Sequence, residues 1–491
     1  MFERFGHNKD NIEQNMTTLL QTIEKPKHGQ NTTVTSSNGS EYWAHVDLNT
    51  VPTIKVIPPG RKSAELHTRC TRYFKGLSEQ AKLFPVAFDS GYGCVLTDVD
   101  GNRYIDFSSG IYVTTLGHCH PKVTEAVRKY AGRLMNAHDF TTEIKTRLME
   151  KLVEVLPGDF RGFQLYDSGT TAVEAGIRVC RAATGKHEML SCFGDFHGKT
   201  YGSVSLGRIR SPVYGAVRAP GMYMLPRPDT YRPLWVRGDG TLDTERYLDF
   251  YDQYIAQGTM NSVAAFVLEP IQGWAGSIFP PDDFFPKLSA FCRKRGILLM
   301  ADEVLTAWGR TGKWLCMEHW NVVPDVVSIG KGFGNGFPVT CVAVRDGYQD
   351  SFESISASSS YGGNPMACAA ALACTEVILE ENLLARAQHL GDLALRRMRR
   401  MQKEHRIIGD VRCKGCLMGI ELVKDRTTKE PFAQAGQMVY QKAFRIGLAW
   451  IPAGHILRMS PPIVMEDELL LKGLDLIDEA VGQTEKELGC A

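Results

Sequence analysis

Two segments carry residue types that could act together. LLMADEV is an apolar run ending at Asp302, and DVVSIGKGFGNGFPV is a second apolar run reaching a lone Lys331 among glycines. A lysine amine can close a Schiff base on the aldehyde of pyridoxal 5′-phosphate (PLP). A carboxylate can pair with the protonated pyridine nitrogen and keep the ring an electron sink. The chemistry implied is carbanion formation beside an amine. Singly, Asp302 reads as a helix N-cap and Lys331 as a surface lysine in a glycine-rich loop; their combination with further segments carries the reading.

Those elements must bring the two residues together. Both apolar runs have strand length, and in open α/β sheets ligands bind beyond the carboxyl ends of the strands, where Asp302 and Lys331 both fall. A third segment, Asp167-Ser168-Gly169-Thr170-Thr171, precedes a helix; N–H groups at a helix start suit a phosphate, although a plain cap has the same composition. A fourth, Phe193-Gly194-Asp195-Phe196-His197-Gly198, sets an aromatic between small residues, where it can stack on a cofactor ring. Gly194 to Gly198-Lys199-Thr200 is one residue short of a P-loop and is not one.

The string VLTDVDGNRYIDF (95–107) reads as a hairpin turning at Asp100-Gly101-Asn102. IKTRLMEKLVEVL (144–156) has helical spacing and stops at Pro157-Gly158, and AVEAGIRVCRAATG is a helix ending at Gly185. SVAAFVL (262–268), ILLMA (297–301) and DVVSI (325–329) are short buried runs, with the helix PKLSAFCRKRG between the first two. Strands alternating with helices predict an α/β fold with a largely parallel sheet covered on both faces. Beyond about 375, long amphipathic helical patterns precede short strands such as GCLMGIEL, as in a smaller α+β domain. The expected organisation is a polar N-terminal extension (1–60), a segment joining the small domain (61–115), a large cofactor-binding domain (116–375) and a C-terminal small domain (376–491).

The 56 basic and 55 acidic residues leave a net charge of +1, which gives no reason to expect nucleic acid or an anionic membrane as partner. A small molecule is the expected substrate. The N-terminus MFERFGHNKDNIEQN shows no apolar signal segment, and thirteen cysteines are scattered singly. Both point to a reducing, cytoplasmic setting with free thiols. Asn31-Thr32-Thr33 and Asn38-Gly39-Ser40 match glycosylation acceptors by chance. Cys413-Lys414-Gly415-Cys416 lacks a second CxxC or a suitable histidine pair, so no metal is expected there.

From about residue 60 to 485 the chain resembles the class III aminotransferases, PLP enzymes of fold type I that include ornithine, acetylornithine and 4-aminobutyrate aminotransferases. DVDGNRYIDFSSGIYVTTLGHCHPKV, DSGTTAVEAGIR, FHGKT, LEPIQG, ADEVLTAWGRTG, IGKG, YGGNPMACAAALA and ILRMSPPI occur in the family's order. The first and third lean toward the branch containing archaeal 4-aminobutyrate aminotransferases and certain amino-acid racemases. The resemblance implies Lys331 as Schiff-base lysine and proton carrier, and Asp302 as partner of the pyridine nitrogen. It implies Phe196 and Val304 on the two ring faces, and Ser168, Gly169 and Thr170 around the phosphate. His197 and Glu269 complete the cofactor pocket. Ser360, where the family usually has Thr, would reach the phosphate of a partner subunit's PLP, so a homodimer is implied. Arg458 would grip a substrate carboxylate, a task suited to the guanidinium fork. His118-Cys119-His120-Pro121 matches a structural segment of the family.

Three departures bear on substrate. After EPIQG the family often has Glu, which masks the carboxylate-binding arginine, and nearby racemases tend to have Asp; here Trp274 stands. An indole neither pairs with arginine as an acid does nor acts as a base. Trp274 is expected to line an apolar pocket for a bulkier substrate, the other possibility being that it turns into packing. Leu305 follows DEV where Gln or Ile is usual, and Thr171 follows SGT where Glu is frequent. The function implied is transfer of an amino group from an amino acid or amine to a keto acid, aldehyde or ketone by a ping-pong cycle. A racemase or epimerase, a decarboxylating relative and a cofactor-less structural homologue remain as alternatives. A racemase needs a second base, and no strong candidate for one stands in the sequence.

Overall fold

Asp302 lies one residue before the end of one strand of the central sheet, and Lys331 two residues beyond the end of its neighbour. A computed structural model of the chain describes residues 42–207 and 218–490. The two glycosylation-like sites and most of the expected N-terminal extension lie outside them. Tertiary contacts divide the chain at Trp43/Ala44, and one compact unit begins at Ala44. Within it, Val51 is fully buried and Thr53 bridges Arg103.

Among the described residues the strands are β1 (Phe88–Tyr92), β2 (Val95–Asp98), β3 (Arg103–Asp106), β4 (Phe160–Tyr166), β5 (Glu188–Cys192), β6 (Met222–Leu225), β7 (Val263–Leu268), β8 (Leu298–Glu303), β9 (Val326–Ile329), β10 (Thr340–Arg345), β11 (Ile408–Lys414), β12 (Leu417–Leu422), β13 (Leu448–Ala449), β14 (Ile451–Ala453) and β15 (Ile456–Met459). The central sheet runs β4-β10-β9-β8-β7-β5-β6. Its pairings are parallel except those of β10, which is antiparallel to both β4 and β9. The expected largely parallel sheet is therefore present, with one reversed strand that the apolar pattern could not orient.

Burial on both faces explains the unbroken apolar runs: every residue of β5, β7, β8 and β9 is buried. The helix Gly169–Thr184 packs Ala172, Val173, Gly176 and Ile177 into this core and stops at Gly185, whose φ of 66° completes a left-handed cap. Smaller sheets flank the large one, in the orders β1-β2-β3-β13 and β11-β12-β15-β14. The hairpin expected over 95–107 is β2-β3, with Val95 opposite Ile105. The long amphipathic stretch is split into helices Pro365–Glu380 and Leu383–Glu404, broken where Asn382 turns to a φ of 51°. None of the described helices is long and apolar enough to cross a membrane.

Candidate active site

Parallel pairing sets Asp302 of β8 opposite Ser328 of β9, and Lys331 follows two residues after β9 ends. Lys331 takes a φ of 47°, an unfavourable conformation for a side chain with a Cβ, and such strain gathers at functional sites. Its amine opens on a cavity of about 520 Å³. Burial pulls the lysine pKa below its usual value, against the opposing pull of Asp302 and Glu269. The amine makes no hydrogen bond or ion pair with the described residues.

Behind Asp302 runs a chain of buried polar groups. Asp302 Oδ2 lies 2.7 Å from His197 Nδ1, and His197 Nε2 lies 3.6 Å from Asp195 Oδ2. Burial alone would lower the imidazole pKa, but hydrogen bonds and charges from the two aspartates outweigh it and push it up to about 10. That upward shift favours the imidazolium form of His197, which sits between Asp302 and Asp195. Asp195 is itself fixed, accepting from Cys192 N at 2.9 Å and Gln272 Nε2 at 2.8 Å. Glu269 accepts from the backbone N of Phe196 at 2.8 Å and of Gly273 at 3.0 Å; burial, then the Asp195 charge, raises it to about 8.

The start of helix Gly169–Thr184 forms another wall. The first N–H groups of a helix lack intrahelical acceptors and favour an anion. Thr170 Oγ1 lies 2.7 Å from both Thr200 Oγ1 and Ser203 Oγ, so the hydroxyls share one network. Gly198 allows this approach: its φ is 128°, and a Cβ there would fall 2.3 Å from Thr170 Oγ1. Thr171, which had no account in sequence terms, closes a capping box on Ser168 and bonds Asp167 Oδ1 at 3.2 Å. Val304 packs beside Gly169 and Gly330.

Across the cavity stands Arg458 on β15, 1% exposed. Its Nη1 and Nη2 meet only the carbonyls of Gly273 and Pro452, at 3.3 and 3.4 Å, and Nε has no hydrogen-bond partner. The indole of Trp274 lies 4.4 Å from the guanidinium carbon and the ring of Tyr112 lies 5.7 Å away. Trp274 also contacts Phe196, with centroids 5.6 Å apart. Trp274 is one of the residues that line the cavity. Leu305 fills the space beside Gly273, where a Cβ would fall 2.3 Å from Leu305 Cδ1.

Lys331, Asp302, Ser168, Gly169, Thr170, Phe196, His197, Glu269, Val304, Trp274 and Arg458 therefore line one cavity. Ser360 does not: it is exposed, with its carbonyl accepting from Asn136 Nδ2 at 2.8 Å. The sequence reading missed Asp195, although it stands inside the FGDFHG segment, and Tyr112. Tyr112 ends a run of left-handed residues, Ser109 to Tyr112, with φ from 46° to 69°. Neighbouring small residues Ser108, Ser109 and Gly110 are the signal that a tight turn follows β3. Cys413 and Cys416 flank the turn from β11 to β12 as free thiols, and His118 pairs with Asp106 at 2.8 Å. No group of three or more metal-ligating side chains occurs among the described residues.

PLP fits these residues. An unpartnered amine, a carboxylate held by an imidazolium, a flat apolar slot and a helix start all face one cavity. Comparisons with known proteins agree. Residues 77–481 match the model of aminotransferase class-III. The leucine/methionine racemase of Thermococcus litoralis is 34% identical over 431 residues, 87% of this chain and 97% of that protein. A probable 4-aminobutyrate aminotransferase of Bacillus subtilis is 33% identical over 82% of this chain and 94% of its own length. An amine transaminase from an uncultivated Pseudomonas species, solved in its PLP-bound form, superposes with a TM-score of 0.77 at 26% identity, covering 84% of this chain and 98% of that one.

Proposed function

Because the chain belongs to the class-III aminotransferase family and is a PLP-dependent aminotransferase, we propose that Lys331, Asp302 and Arg458 divide its work among them in a ping-pong exchange between an amino donor and a carbonyl acceptor. The bound cofactor supplies an electron sink for the carbanion. Lys331 holds the cofactor at rest. Nζ would take the proton from the substrate carbon and return it during the exchange, a task that the downward shift from burial assists. Asp302, held by His197 Nδ1, would pair with the ring nitrogen. Phe196 and Val304 hold the ring faces, and Ser168, Gly169 and Thr170 take the phosphate. Arg458 receives a substrate carboxylate. The observation that carries this assignment is the convergence of Lys331 and Asp302, from adjacent strand ends, on one cavity with Arg458 across it.

Ser360 belongs in this scheme to a homodimer, where it serves the partner subunit's cofactor; its exposure outside its own chain's cavity supports this. The small domain over 376–491 would hold Arg458 opposite the large domain over 116–375. Thirteen free thiols support a cytoplasmic setting.

A racemase on the same scaffold is favoured by the Thermococcus relative, yet Phe196 and Trp274 offer no base to the substrate. One screen separates the readings. Holoenzyme is mixed with single amino acids and amines while the visible absorbance of the cofactor is followed. Transamination predicts bleaching with one oxo product released per site. Loss of optical activity without oxo acid would establish the racemase instead.

A further inference from the structure

The guanidinium of Arg458 is buried without an anion, which is costly unless something compensates. Here aromatic rings compensate: Trp274 at 4.4 Å and Tyr112 at 5.7 Å place π faces near the cation while leaving its charge unneutralised. An acid at position 274 would instead form an ion pair that every incoming carboxylate must break. The indole covers one side of the guanidinium without neutralising it, so a carboxylate that displaces the long carbonyl contacts can bind by paired hydrogen bonds.

The remaining cavity charges lie elsewhere. Asp302, Lys331 and Glu269 belong to the cofactor assignment, Glu269 accepting from the backbone N of Phe196 and Gly273, and Asp167 lies at the helix start, where it accepts from Thr171 Oγ1. Lys199 is exposed and adjoins Thr200, whose backbone N donates to Thr170 Oγ1, so it stands at the helix-start end. Arg458 is the one arginine among the described lining residues. The same cavity is lined by the apolar residues Ile111, Leu305, Phe337 and Val339 and by the Phe196–Trp274 pair. A second carboxylate or an ω-ammonium set against those apolar residues would be desolvated, at a cost an apolar side chain does not carry.

We infer that the carboxylate-bearing substrate is an α-amino acid with one carboxylate and an apolar side chain, or its matching 2-oxo acid, and that Trp274 is the specificity-determining residue that keeps Arg458 unpaired. This rests on the proposed function and deepens it by naming the substrate class. The left-handed turn from Ser109 to Tyr112 holds the second ring in place.

The test uses holoenzyme and single half-reactions with leucine, methionine, glutamate, ornithine, 4-aminobutyrate and the carboxylate-free 1-phenylethylamine. Leucine and methionine are expected to exceed glutamate and ornithine in kcat/KM by about tenfold or more, the discrimination set by an unpaired polar group in an apolar site. In Trp274→Glu the KM for leucine should rise about tenfold with kcat little changed, as a competing acid takes the arginine. The ratio of the leucine rate to the 1-phenylethylamine rate should fall about tenfold in this variant, since only leucine carries a carboxylate that competes for Arg458. Trp274→Phe, which keeps a π face, should restore most of the leucine affinity. As a readout apart from turnover, quenching of tryptophan fluorescence by unreactive 4-methylpentanoate should saturate at lower concentration than by glutarate. Cofactor absorbance and melting temperature report folding of each variant.

Equal use of glutamate and leucine, or equal loss of leucine and 1-phenylethylamine activity in Trp274→Glu, overturns the inference. Failure of every donor to bleach the cofactor sinks the proposed function itself, and the two failures are distinguishable.

Discussion

The two ends of the cavity handle buried charge in opposite ways. At the cofactor end, Asp302, His197 and Asp195 form an internally compensated row, one cation between two anions, with Asp195 further anchored by Gln272. At the substrate end, Arg458 is equally buried but has two long carbonyl contacts and aromatic neighbours. A compensated row keeps the same field through every turnover, which suits a ring nitrogen that must stay protonated. An uncompensated charge gains most from a ligand that arrives and leaves. Burial alone therefore does not tell a fixed electrostatic element from a binding site; the presence of a partner does.

The largest break in this contrast is at Lys331, which sits between the two ends. Lys331→Ala removes the amine while leaving the Asp302 row and the Arg458 rings untouched. Single-turnover exchange with any amino acid is expected to fall by about 10³-fold or more, as the proton carrier is lost. The melting temperature should hold or rise, because a buried, desolvated amine is gone while the backbone conformation stays as it was. Turnover near the wild-type rate would place the proton transfer on another group.

His197→Gln tests the compensated end. It leaves Asp195 and Asp302 facing each other without the cation, and breaking a buried charge pair costs roughly 3 kcal/mol. The sign with pH follows from the raised pKa of His197, 6.5 ordinarily and about 10 in the fold. Its stabilising contribution is complete below about pH 6.5 and disappears as pH climbs toward 10. Melting temperatures of wild type and variant should therefore differ most near pH 6 and converge near pH 10. The half-reaction rate at neutral pH should drop by about 10- to 100-fold through the weakened hold on Asp302. A difference constant across that range would mean that His197 is neutral in the fold.

The two ends also differ in how far the sequence revealed them. Asp302 and Lys331 were legible because each ends a continuous apolar run, and the fully buried β8 and β9 explain those runs. Helix Gly169–Thr184 was legible through its glycine stop. β10 was not, since residues 340–345 are not among the apolar runs read as strands and its reversed direction appears only in the pairing with β4 and β9. Nor was the stacking of Trp274 on Arg458, which joins residues 184 positions apart through the docking of β15 beside Gly273. Asp195 stood in a quoted segment but lacked meaning until His197 was seen to bridge it to Asp302. Local pattern exposes elements and their ends; pairings across the fold depend on rotamers fixed only by packing.

The smallest effect is expected at Thr171, a residue of the cofactor end that the structure assigns to the backbone. Its Oγ1 donates to Ser168 O at 2.7 Å and accepts from Ser168 N at 3.3 Å, closing the helix start. Thr171→Ala removes those bonds and should cost about 1 kcal/mol, the usual value of a helix cap. That loss is measurable as a slightly lower unfolding midpoint in urea. Because Thr170 keeps its bonds to Thr200 and Ser203, the phosphate cradle should persist and the half-reaction rate should stay near wild type. A large loss of cofactor affinity in this variant would move Thr171 from capping into the cradle. The compensated end would then extend one residue further along the helix.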